Sequence, residues 1–232
     1  MIYDKFSKYY DQFLDHDLYE TYYKLIKKYK KKGTVIDLGT GTGILAIRLA
    51  KEDFFVTATD ISTRMLEMAY NNALLEKTDV KFYVHDILDS LNKTYDLLLM
   101  SSDVINYLST EVEVKKAFKN VHDAMEKNSI FIFDFLKIDY LESLVNYSED
   151  IDLGDTYIQW NISKSDVDNQ IVHTLKMDED VETHVQTTYD LIKYRELLNS
   201  ENLKIIKIQD LEERIVLVCG RKSHWFPFYL PF

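Results

Sequence analysis

The chain has 232 residues, 46% hydrophobic and 29% charged, with 39 acidic against 28 basic residues and a net charge of -11. That length supports one α/β domain with a full core and a modest insertion, and argues against two independent domains. The acidic balance disfavours a nucleic-acid substrate: the one compact basic stretch, residues 24–32, reads as the solvated face of a helix.

Taken in chain order, the Tyr-rich residues 3–14 read as a short helix and 18–32 as a longer one, together a cap over residues 1–32. Apolar runs rich in β-branched and aromatic residues recur at 35–38, 54–59, 80–84, 97–100 and 130–135, the pattern of strands buried on both faces. Between them, residues 44–50, then Met65, Leu66, Ala69 and Ala73, then Val114, Ala117, Phe118, Val121 and Met125 have helical spacing. This strict alternation predicts a doubly wound, mostly parallel sheet over residues 33–150.

From about Asp152 the period drops to two. Ile158, Trp160 and Ile162, then Ile171, His173, Leu175 and Met177, then Val181, Thr183, Val185 and Thr187 alternate with polar neighbours. Turn residues at 166–170 and 178–180 separate them, which predicts a three-stranded antiparallel insertion within 151–188, over the active site. Residues 189–232 complete the core, with a helix at 191–198, strands at 203–208 and 215–219, and an aromatic tail at 224–232. The tail is expected to dock on its own domain, with a dimer contact or pocket closure as alternatives. The lone Cys219 reads as a small core residue of a reducing compartment, and no stretch reaches the ~18 apolar residues of a membrane span. With no secretory-signal pattern at Met1-Ile2-Tyr3-Asp4-Lys5, a cytoplasmic protein is expected.

The densest chemical signal is Val35-Ile36-Asp37-Leu38-Gly39-Thr40-Gly41-Thr42-Gly43. Three of six glycines fall here between a strand and a helix, where backbone can approach a ligand and a helix presents unpaired N–H groups. The spacing is Gly-x-Gly-x-Gly rather than the Gly-x-Gly-x-x-Gly of dinucleotide sites. Asp37 ahead of it has no role toward a pyrophosphate but suits an ammonium group, such as a methionine moiety carries. Asp60 closes the second strand, placed to accept hydrogen bonds from a ribose diol or, alternatively, to cap the next helix in competition with Ser62. Ile61 and Met65 would wall an adenine ring, with core packing the alternative for Met65. After the third strand, Asp86 offers a carboxylate for an adenine amino group and Ile87 a backbone N–H for a ring nitrogen, whereas His85 reads as packing.

These residues resemble class I S-adenosylmethionine-dependent methyltransferases, in particular small bacterial ones with an N-terminal cap and an antiparallel insertion. The resemblance covers nearly the whole chain up to Gly220. It rests on the glycine motif, Asp60-Ile61-Ser62, His85-Asp86-Ile87, and Tyr95-Asp96-Leu97-Leu98-Leu99 leading into Ser101-Ser102-Asp103-Val104-Ile105-Asn106-Tyr107. It implies S-adenosyl-L-methionine as cofactor, bound by Asp37, Gly39, Thr40, Gly41, Gly43, Asp60, Ile61, Met65, Asp86, Ile87 and Ser101. It also implies an α/β fold: a seven-stranded, Rossmann-like sheet whose last strand is antiparallel, with the insertion helping to cover the substrate pocket. Tyr9-Tyr10-Asp11-Gln12-Phe13 is similar to the family's Tyr-Asp cap segment, which places Tyr10 in the cofactor wall, with Tyr3 and Tyr19 as further candidates. Glu126-Lys127-Asn128-Ser129 stands where a glycine pair is common, a change of turn. No Asn/Asp-Pro-Pro-aromatic motif follows the fourth strand, which disfavours methylation of adenine bases or glutamine amides. No cysteine lies near it, which excludes C5-pyrimidine chemistry through a thiolate adduct.

Methyl transfer from a sulfonium chiefly requires alignment; an amine acceptor must arrive neutral, whereas a hydroxyl wants a base. His16, Asp103 and His184 are base candidates near the expected mouth, and none is assigned a catalytic role. Ser102, Asn106 and Tyr107, following the fourth strand, are the expected substrate-side residues, with loop and cap duty as the alternative. No metal is expected. The reading is a transferase moving methyl to N or O of a small-molecule substrate, as a monomer or homodimer. Its alternatives are a non-catalytic S-adenosylmethionine-sensing module and, against the glycine spacing, a nicotinamide-dependent oxidoreductase.

Overall fold

Asp15 starts the first long helix. Its carboxylate accepts the N–H groups of Asp17 and Leu18 at 2.9 and 3.1 Å, and Leu18, Tyr22, Leu25 and Ile26 form the buried stripe of α1 (His16–Tyr29). The helix stops three residues before the expected Lys32 because Lys30 is already extended and Gly33, at φ +131°, starts the first strand. Ahead of α1, two 3-10 turns at Phe6–Lys8 and Tyr10–Phe13 stand in place of the expected short helix. The computed structural model describes residues 6–222, so Tyr3 and the tail at 224–232 lie outside the described residues.

The core then alternates as β1 (Gly33–Leu38), α2 (Ile44–Ala50), β2 (Phe54–Asp60), α3 (Thr63–Leu75), β3 (Val80–Val84), β4 (Tyr95–Met100), α4 (Glu111–Asp123) and β5 (Met125–Leu136). Short α5 (Ile138–Ser143) leads into β6 (Ser148–Asp152), β7 (Tyr157–Lys164), β8 (Gln170–Met177) and β9 (Asp180–Thr187). The chain then returns through α6 (Leu191–Ser200), β10 (Leu203–Asp210) and β11 (Arg214–Arg221). Among the described residues, seven strands form one sheet in the order β10-β11-β5-β4-β1-β2-β3, with β11 antiparallel to both its neighbours. The order reverses between β1 and β4, which opens a crevice at the carboxyl ends of those strands. One face of the sheet is covered by α4 and α6, through Phe118, Phe131, Phe133, Phe135 and Tyr194; the other by α1 and α2, through Tyr22, Ile26, Leu45 and Leu49. Among the described residues, no helix is long and apolar enough to cross a membrane.

Four further features differ from the sequence reading. The third strand is not buried on both faces: β3 is an edge strand, and Tyr83 and Val84 are exposed. The fifth strand begins at Met125, which the helical spacing had counted into α4. Residues 126–129 form no turn; they belong to a bulged stretch where Ser129 Oγ accepts Glu126 N–H and donates to the Tyr95 carbonyl. The second sheet has four antiparallel strands rather than three, because the acidic run at β6 pairs with β7 as an exposed edge. Finally, β9 turns its expected inner residues outward. Val181 and Thr183 are exposed, while Glu182, His184 and Gln186 are buried. The polar side chains on that face find partners: Glu182 accepts the N–H of Phe6 at 3.2 Å and Gln186 donates to Asp103 at 2.6 Å.

Candidate cofactor and active site

The crevice holds a cavity of about 240 Å³. Its floor is the loop leaving β1. Gly39, Gly41 and Gly43 all have positive φ, at 74°, 55° and 84°, and the N–H groups of Gly39 and Thr40 both donate to the Thr59 carbonyl at 2.8 Å. A Cβ on Gly39 would stand 2.5 Å from the Val104 side chain, so the loop after β4 closes directly over the glycine loop. The cap is tied to the same loop, since Thr42 Oγ1 donates to Asp11 at 2.6 Å. Gly43 does not line the cavity: it caps α2, and a Cβ there would meet Ala69 of α3 at 3.0 Å, so its duty is helix packing.

Three carboxylates line the cavity from successive strands. Asp37 is buried; one oxygen accepts the Thr40 hydroxyl at 2.7 Å and the other, Oδ1, has no protein partner. Burial pushes its pKa up to about 6, offset in part by Thr40 and reinforced by the Asp60 charge. Asp60 accepts the N–H groups of Gly41 and Ser62, each at 2.9 Å. Burial raises its pKa too, against the pull of those N–H groups. The competition for the helix cap falls to Ser62, whose hydroxyl takes the Met65 N–H, so Asp60 faces the cavity. Asp86 accepts Leu88 N–H at 2.8 Å, and Asn120 of α4 holds the neighbouring Ile87 carbonyl at 3.1 Å. Tyr10, Ile61, Met65 and Ile87 complete this wall, together with Tyr19, Leu45, His85 and Leu88.

On the other side runs the loop after β4. Ser101 and Ser102 line the cavity, and Ser102 and Asp103 are consecutive left-handed residues, φ +61° and +54°. Non-glycine residues hold that conformation only under constraint. Here the Ser102 N–H donates to the Tyr22 phenol at 3.0 Å and the Asp103 N–H to Asp134 at 3.1 Å. Arg214 bridges the two carboxylates, 2.9 Å from Asp103 and 2.8 Å from Asp134. The loop continues into a 3-10 turn, Val104–Tyr107. Tyr107 lines the cavity, but Asn106 does not: fully buried, it donates to the Thr187 carbonyl at 2.8 Å and accepts the Leu136 N–H at 3.0 Å. It thus knits the turn to β5 and β9 and is unavailable to a substrate.

Of the base candidates, His16 opens α1 away from the cavity lining and His184 is buried in the second sheet, where burial, with His173 nearby, lowers its pKa to about 4. Among the described residues, none of the insertion lines the cavity; it reaches the site through Asp103 and through Asn106 of the Val104–Tyr107 turn. Sequence reasoning missed Val104, Asn120, Asp134 and Arg214. Each acts through tertiary contact; His85, set aside as packing, also lines the cavity, and its place next to Asp86 was the local signal for it.

A glycine loop, carboxylates at the ends of β1 and β2, and a cavity at the switch point of this strand order define a class I, Rossmann-like methyltransferase architecture. The model of a methyltransferase domain family matches residues 29–184. A protein of Geobacillus sp. (strain WCH70), named as a candidate methyltransferase, is 27% identical over 228 residues, 90% of this chain and 91% of the relative. A solved S-adenosylmethionine-dependent methyltransferase from Clostridium acetobutylicum ATCC 824 superposes with a TM-score of 0.82 at 22% identity, covering 95% of this chain and 99% of that one. The amino pentose methyltransferase CalS10 of Micromonospora echinaspora, solved with S-adenosylmethionine bound, gives 0.72 at 14% identity, covering 93% and 95%. The chain belongs to this methyltransferase family and is an S-adenosylmethionine-dependent enzyme. Its residues fit that cofactor on one independent point: a buried carboxylate oxygen, Asp37 Oδ1, lacks a protein partner where a cation would supply one.

Proposed function

We propose that the enzyme methylates an N or O atom of a small molecule that is neutral or cationic. The observation carrying this reading is that no Lys or Arg lines the cavity among the described residues. A phosphate-rich acceptor would find no side-chain cation to neutralise it there. The same fold carries an amino pentose methyltransferase, in keeping with an acceptor of this size.

When bound, S-adenosylmethionine supplies a methyl group already activated on a sulfonium. In this reading Asp37 Oδ1 accepts its ammonium group and Asp60 the ribose hydroxyls, while Asp86 and the Ile87 N–H take the adenine edge. Gly39, Thr40 and Gly41 lie along it, and Tyr10, Ile61, Met65 and Ser101 enclose it. Ser102 and Tyr107 are left to orient the acceptor, which arrives as a free amine or hydroxyl; no residue is assigned as base. A cytoplasmic setting belongs to the same proposal, on the ground of the buried, unpaired Cys219.

The test is a screen with methyl-labelled S-adenosylmethionine against separated metabolite, tRNA and protein fractions. Label is expected in a small amine or hydroxyl compound. Label confined to RNA or protein would overturn the small-molecule acceptor while leaving the transferase intact.

A further inference from the structure

The loop after β4 is held from the core by Tyr22, Asp134 and Arg214, and from the second sheet by the Asn106–Thr187 bond at its far end and by a side-chain relay that ends on Asp103. Trp160 on β7 donates from Nε1 to His173 Nδ1 at 3.1 Å. An indole only donates, so Nδ1 is the bare nitrogen; Nε2 then carries the hydrogen and donates to Gln186 Oε1 at 3.0 Å. Gln186 turns its amide N–H to Asp103 Oδ2 at 2.6 Å, and the other oxygen of Asp103 takes Arg214. Donor and acceptor identities agree at every link from β7 to the loop. Gln186 is 5% exposed and His173 8%, so water cannot readily substitute for these partners.

The chain of bonds ends where the backbone is strained. Ser102 and Asp103 are left-handed, Ser102 lines the cavity, and Val104 is pressed against Gly39. A shift of Asp103 would move the serine hydroxyls and the Val104 contact together. We propose that Gln186, oriented by His173, is a positioning residue for the S-adenosylmethionine cavity, holding the Ser102–Asp103 loop from the second sheet. The donor site is therefore complete only while that sheet is docked. This holds whatever the acceptor is.

Calorimetric titration of the full chain with S-adenosylhomocysteine tests it. Gln186→Leu breaks both bonds and is expected to weaken binding about tenfold. Gln186→Glu adds a carboxylate opposite Asp103 and near Asp134, with the single guanidinium of Arg214 between those two, His173 across the strand, and His184 and Glu182 further along β9. At about pH 8 that variant is expected to bind about tenfold more weakly than the unaltered protein. At about pH 6 the introduced carboxyl, crowded by like charge, takes up a proton and restores a donor toward Asp103, and the ratio should fall to within about threefold. Taking the ratio at each pH removes the titration of Asp37, common to both proteins. Binding by both variants equal to that of the unaltered protein would overturn the proposal. So would a Gln186→Glu deficit equal at the two pH values, which is what loss of packing alone produces. Should Gln186→Leu fold poorly, the pH ratio of Gln186→Glu decides by itself.

Discussion

Asp37 combines two opposed demands in one side chain. Its carboxyl is buried with an unpartnered oxygen, and burial raises its pKa to about 6, above the value of a solvated aspartate. A group whose folded pKa is raised binds its proton more tightly when folded, so its contribution to stability is greatest below pH 4 and is lost as the pH climbs through about 6. Replacing it by Asn should therefore leave the empty protein as stable as before at neutral pH, or more stable. The same change should weaken S-adenosylhomocysteine binding at least about tenfold, since a charge-assisted bond is lost. For the unaltered protein, affinity should drop below about pH 6 and binding should then release a proton, read as a dependence of the calorimetric heat on buffer. Affinity flat from about pH 5 to 8 would count against a charged Asp37 in the complex.

Among the elements, the Val104–Tyr107 turn shows best why some residues mislead. Asn106 sits in register with a substrate-facing motif, yet both ends of its amide are spent on Leu136 and Thr187. Asn106→Ala should destabilise the protein by roughly 2–4 kcal/mol, because it leaves a buried N–H and a buried carbonyl unpaired, a loss measurable by urea denaturation. A variant of unchanged stability would reopen its role toward substrate. The parallel strands, the glycine loop and Asp60 were legible in the sequence because each signal is local: an apolar run, a glycine spacing, a carboxylate at a strand end. The phase of β9 was not, since its period of two is compatible with either face inward, and its partners come from loops distant in sequence. Likewise β3 has the composition of a central strand, and only the topology makes it an edge.

At the scale of the molecule, Arg214 joins parts that no local pattern connects: β11, the end of β5, the loop after β4 and, through Tyr22, the first helix. Its guanidinium is mostly buried; burial lowers its pKa, but Asp103 and Asp134 outweigh this and raise it strongly, keeping it charged. Arg214→Met should destabilise by about 3–5 kcal/mol at neutral pH, because two carboxylates remain with no cation. Burial already raises the pKa of Asp134. The deficit relative to the unaltered protein should therefore shrink on acidification, as the stranded Asp134 takes up a proton. A pH series of thermal melts checks both size and sign, and a deficit independent of pH would show that Arg214 matters for packing alone.

The position of β11 in the sheet also sets an order of events during synthesis. Among the described residues it follows every other strand of the sheet in sequence, yet it lies between β10 and β5 rather than at an edge. A nascent chain that has emerged only as far as β10 leaves β5 with an open flank and Asp134 without its cation. The loop over the glycines then lacks one of its anchors. Capacity to bind the methyl donor should thus arise only once β11 has emerged and paired, so that chains shorter than this do not sequester the cofactor.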